Sequence, residues 1–96
     1  MGRLKYFINW LKYQFKKPLI GYIQSGTYIG EMWIEIERNS KDVSFLVPSK
    51  GLIRSVNIDV IKNGITHGMF DVDTVGMPFN VYRVCIAEYN YIKNRG

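Results

Sequence analysis

No acidic residue precedes Glu31, cysteine and histidine occur once each, and alanine appears only at Ala87. The single Cys85 excludes an intramolecular disulfide and points to a reducing compartment, so a cytoplasmic location is expected. The single His67 leaves a zinc site to be assembled from Cys85 and remote carboxylates with no recognisable spacing. Ser25-Gly26 and Gly76-Met77-Pro78 match neither a nucleophile elbow nor a phosphate-cradling loop. Apolar runs are short as well. None approaches the roughly 18 residues of a membrane span, and the apolar stretch after Met1 is broken by Asn9 and Lys12 and has no small-residue cleavage site. Gly2 has Tyr6 where a myristoylation signal has Ser or Thr. These gaps remove positive support for an enzyme, and no cofactor or metal is expected.

What the chain does have is apolar and aromatic. Its 96 residues are 47% hydrophobic, 15% aromatic and 22% charged, the balance of a folded chain of about one domain, expected over 1–96. The net charge of +5 is concentrated at one end. Arg3, Lys5, Lys12, Lys16 and Lys17 supply five positive charges, and beyond them basic and acidic residues cancel.

That basic end, residues 1–17, reads as an amphipathic helix. Leu4, Phe7, Ile8, Leu11 and Phe15 recur at three- and four-residue spacing and fall within about 100° on a helical wheel. Lys5, Lys12 and Lys16 form one flank of this stripe, Tyr6, Trp10 and Tyr13 the other, and Pro18 stops the helix. The aliphatic stripe is expected to dock on the core, leaving the basic and aromatic flanks exposed. Three roles compete for those flanks: a solvated surface, a nucleic-acid contact in which lysines meet phosphates and rings stack on bases, or an anionic bilayer surface. Membrane attachment is disfavoured because a small core needs the stripe.

Residues 19–75 change to short segments rich in Ile, Val, Tyr and Phe, separated by Gly, Asn, Ser and Pro, the pattern of successive strands. Leu19–Gln24, the alternating hairpin of Met32–Glu37 and Val43–Val47, Leu52–Val56, and a last strand with Phe70 and Val72 inward give about five. Residues 57–64 fit two structures: a helical turn capped by Asn57, which is preferred, or a hairpin through Asn63-Gly64. Residues 79–93 open after Pro78, run about fourteen positions without a turn signal, and read as a helix with Val81, Cys85, Tyr89 and Ile92 on one face. The fold class is therefore α+β: a small, strongly curled antiparallel sheet or SH3-like barrel, flanked by N-terminal and C-terminal helices.

A short chain crowded with Ile, Lys, Asn, Tyr and Phe resembles the small accessory proteins of T4-like tailed phages. The stretch Val81-Tyr82-Arg83-Val84-Cys85 with Glu88-Tyr89 carries that resemblance, which names no activity and no functional residue. The basic and aromatic surface, taken with the lack of catalytic motifs, leads to the expectation of a non-enzymatic phage accessory factor that engages a host protein, in the host cytoplasm, with a small DNA- or RNA-binding module as the alternative and peripheral membrane binding third. The expected contact residues are Lys5, Tyr6, Trp10, Lys12, Tyr13, Lys16 and Lys17, with Tyr28 and Trp33 forming a second aromatic group. Asp71 and Asp73 project from one face of a strand, where an outward polar surface explains them as well as a cation site does.

Overall fold

The computed structural model describes residues 2–73 and 76–95. Val75, the expected end of the β-rich segment, lies outside them. The order is α1 (Gly2–Phe15), β1 (Ile20–Ile23), β2 (Met32–Arg38), β3 (Asp42–Val47), β4 (Leu52–Asn57), α2 (Ile58–Thr66), β5 (Phe70–Asp73) and α3 (Phe79–Arg95).

Local chemistry sets the boundaries. Lys17 takes a left-handed conformation (φ 49°) that turns the chain out of α1 into Pro18, which cannot continue a helix. The Asn39 carboxamide oxygen accepts from the Lys41 and Asp42 amides at 2.8 and 2.7 Å, shaping the β2–β3 hairpin turn. At the ambiguous segment the helical alternative is the observed one. The Asn57 side chain accepts from the Asp59 amide at 2.9 Å, and α2 runs past Gly64 to Thr66. The left-handed residue after it is Gly68 (φ 72°), two positions beyond the helix.

All strand pairs are antiparallel, in the order β4-β3-β2-β1-β5. The class is therefore α+β, but β4 and β5 are two separate edges and the sheet is neither closed nor strongly curled, so the expected SH3-like barrel is not formed. Closure would require β5 to pair with β4, whereas β5 lies at the far edge on β1.

Both faces of the sheet are covered. On one, Tyr13 of α1 and Tyr82, Cys85 and Tyr89 of α3 pack with Ile20, Ile34 and Leu46. On the other, Ile61 of α2 packs with Trp33, Val43, Phe45, Val47 and Phe70. The consecutive buried residues Phe45, Leu46 and Val47 follow from this, since a central strand covered on both sides is apolar at every position. In α3 the buried face is Tyr82, Cys85 and Tyr89, while Val81 is exposed rather than inward.

Strands β1 and β5 meet across Gly21, which pairs with Val72. A Cβ there would collide with the Asp71 carbonyl and sit 2.9 Å from the Val72 Cα, both backbone atoms that cannot rotate away. Gly21→Ala is expected to lower stability by about 3 kcal/mol or to part β5 from the sheet. Chemical denaturation checks the first outcome and amide exchange on β5 the second.

Candidate functional surfaces

The most consequential placement is that of α1, which docks the opposite way round from the sequence expectation. Tyr13 is buried at 8% exposure and Trp10 is half-buried, whereas Leu4 is 67% and Phe15 88% exposed, with Phe7, Ile8 and Leu11 also open to solvent. Trp10 and Tyr13 face the protein; Leu4, Ile8, Leu11 and Phe15 face away, and Phe7, partly exposed, packs its ring 5.7 Å from both Trp10 and Phe79.

Hydrogen bonding explains the choice. The Trp10 indole N–H donates to the Met77 carbonyl at 2.6 Å, and the Tyr13 hydroxyl donates to the Glu35 carbonyl. Glu35 borders a β-bulge, where the β2–β3 register shifts between Glu35 and Glu37. The Gln14 side chain accepts from the Met77 amide at 3.1 Å. Rings complete the contact: Tyr13 lies 5.1 Å from Tyr82, and Trp10 5.8 Å from Phe79. Leucine and isoleucine offer no donor, so docking the aliphatic stripe would bury two carbonyls unpaired, at about 1–3 kcal/mol each. Burial drives the Tyr13 phenol far above its ordinary value, with the Glu35 charge adding to the effect, so it remains a donor.

The expected contact residues therefore separate. Lys5, Lys12, Lys16 and Lys17 are exposed and, among the described residues, neither they nor Arg3 takes part in a salt bridge. Tyr6 is only just exposed, and Tyr13 and Trp10 are turned inward, so the stacking platform anticipated for nucleic-acid bases is not on the surface. Lys12 and Lys16 border a cleft of about 670 Å³ that also holds Arg38, Glu35 and Glu37. Its carboxylates are engaged, Glu35 by Arg38 at 2.6 Å and Glu37 by Tyr89 and Lys93, so the cleft is mixed in charge.

Tyr28 and Trp33 lie at the other side of the sheet. Trp33 is 4% exposed and belongs to the core, which corrects its reading as a surface contact; Tyr28 is exposed beside it, rings 5.8 Å apart. Buried Glu31 organises both. Its carboxylate accepts from the Trp33 indole at 3.0 Å and takes a two-pronged contact from Arg54, each prong 3.0 Å. The Arg54 guanidinium in turn lies 3.8 Å over the Tyr28 ring. Neither Glu31 nor Arg54 was recognisable from sequence spacing, since they are joined only by the sheet.

Tyr28 and Trp33, with Ile23, Val60, Gly64 and Met69, line a cleft of about 520 Å³ between α2 and the β1–β2 loop. Burial raises the Cys85 thiol above its ordinary value, so it is not a ready nucleophile. His67 caps α2, with its ring Nδ1 2.8 Å from the Asn63 carbonyl. Asp71 and Asp73 are exposed, and among the described residues no group of three His, Cys, Asp or Glu could hold a metal ion. Among the described residues, no helix is long and apolar enough to cross a membrane. Comparison with protein-family profiles, characterised proteins and solved structures gives no match to this chain.

Two predictions follow from these contacts. Tyr13→Ala should cost about 3 kcal/mol, because it removes a buried ring and orphans a carbonyl, whereas Leu11→Gln should stay within about 0.5 kcal/mol of the parent; urea unfolding of both variants checks this. Hydrogen bonds from Arg54 hold Glu31 below its ordinary 4.5, and those from Tyr89 do the same for Glu37. Their contribution is complete above that value and disappears as pH falls through the lowered one, so thermal midpoints should drop in acid, and Glu31→Gln should flatten part of that slope.

Proposed function

We propose that this chain acts by binding rather than catalysis, and that α1 attaches it to an anionic lipid surface. The observation that carries this is the solvent-facing aliphatic stripe of Leu4, Phe7, Ile8, Leu11 and Phe15 on a helix whose other side is fixed to the domain. Large exposed apolar patches mark interaction sites, and the objection that the core needs this stripe does not apply to a helix docked on its aromatic face.

Charge selects the partner. Lys5, Lys12 and Lys16 line one side of the stripe, while Arg3 and Arg83 share a cleft with Leu4, Phe7 and Phe79 at its start. Lysine stems reach along an interface while their ammonium groups stay among the headgroups. Shape favours a bilayer over a protein groove. A bilayer needs one apolar side flanked by cations, which α1 offers where Leu4, Ile8, Leu11 and Phe15 lie exposed beside Lys5, Lys12 and Lys16. A helix of 14 residues, about 21 Å long, lies in the headgroup region without spanning it.

The two contributions are similar in size. Each cation near an anionic surface is worth about 1 kcal/mol, and inserting side chains that are already partly covered adds roughly 1 kcal/mol apiece. Attachment thus depends on both. Sedimentation with vesicles should show binding to phosphatidylcholine doped with phosphatidylserine, and little to phosphatidylcholine alone. Replacing Lys5, Lys12 and Lys16 by Gln should weaken it roughly 100-fold. Leu11→Ser with Phe15→Ser should weaken it roughly 30-fold while leaving the fold intact. Failure to bind anionic vesicles, or indifference to the serine pair, would reject the lipid assignment. In that event, loss of a nuclease-resistant protein partner with the same pair would return the stripe to a host-protein role.

A further inference from the structure

The cleft between α2 and the β1–β2 loop plays no part in lipid attachment and stands on separate observations. Its aromatic walls are held from behind. Tyr28 is fixed by Arg54, Arg54 by buried Glu31, and Trp33 by the same carboxylate, while Phe70 packs edge-on against Phe45 with ring centroids 5.7 Å apart. The loop itself is tied down: the Gln24 amide donates to the Met69 carbonyl at 2.7 Å and the Gly30 amide to the Ile23 carbonyl at 2.8 Å. Two of the lining positions, Gly26 and Gly64, carry no side chain. A Cβ on Gly26 would lie 3.9 Å from the Met69 Cε, and one on Gly64 3.9 Å from the Phe70 Cβ.

We infer that this cleft binds a neutral, mainly aromatic small molecule with a polar end. Its volume, about 520 Å³, falls among those of small-ligand sites, and no Asp, Glu, Lys or Arg lines it. An ionised ligand would surrender its hydration there without gaining a counter-charge. The exposed Tyr28 ring and Met69 thioether, with buried Trp33 and Phe70 behind them, suit an aromatic body. Polar groups sit among them: Ser25, Thr27, Asn63 and His67. The His67 Nδ1–H donates to the Asn63 carbonyl, which leaves the other ring nitrogen for the polar end of a ligand.

A matched pair of dyes tests this. N-phenylnaphthylamine is neutral, and its sulfonated analogue carries the same rings with a negative charge. Fluorescence titration of the intact chain should show saturable binding of one neutral dye, at least about tenfold tighter than the anionic one. Gly64→Leu should weaken the neutral dye at least about tenfold by filling the cleft, while Gly64→Ala should retain most of the affinity; both replacements favour the helix over glycine. Val60→Phe, at an exposed position on the rim, supplies the same block should Gly64→Leu unfold. Absence of saturable binding, or affinity unchanged in both folded blocking variants, would overturn the inference. So would preference for the anionic dye, and its loss on replacing Lys12 and Lys16 by Gln would place the dye on α1 instead.

Discussion

Two backbone carbonyls decide how this molecule meets its surroundings. Those of Glu35 and Met77 lie beneath α1 and need donors once the helix covers them. Tyr13 and Trp10 bring donors on apolar rings, so they fill space and satisfy the carbonyls together. The aliphatic stripe can do only the first. With the aromatic side committed inward, Leu4, Ile8, Leu11 and Phe15 are left outward beside the lysines, and an ordinary amphipathic helix becomes a surface that invites a partner.

The sequence allows α1 to be drawn correctly as a helix with three stripes and its orientation to be drawn backwards. Periodicity reports which residues share a face, but the acceptors that choose the face belong to residues 22 and 67 positions away. The strands were legible from alternation and turn chemistry, and Asn57 marked the start of α2. Closure of the sheet was not legible, because alternation within a strand carries no information about which edges pair. Nor was the burial of Trp33 beside outward-reading Glu35: β2 is covered on both faces, and only the placement of α2 across the sheet makes that so.

Glu31 plays for the opposite face the part that the two carbonyls play beneath α1. A buried carboxylate is costly unless its oxygens are occupied, and here Trp33 and Arg54 occupy them. The arrangement fixes Tyr28 and keeps the wall of the cleft in place. The aromatics were recognisable in the sequence as a group of interest; their supporting ions were not. Because α1 and α3 cover one face of the sheet and α2 the other, the exposed apolar stripe of α1 and the cleft are on opposite sides.

The orientation of α1 is the central claim, and solvent paramagnetic relaxation of isoleucine and leucine methyl groups reads it directly. In buffer, the methyls of Leu4, Ile8 and Leu11 should relax strongly with a soluble paramagnetic agent, while those of Ile34 and Leu46 stay protected; anionic vesicles should then shield the first group. Methyls of Leu4, Ile8 and Leu11 as protected in buffer as those of Ile34 and Leu46 would show the aliphatic stripe docked on the core, and would contradict the account.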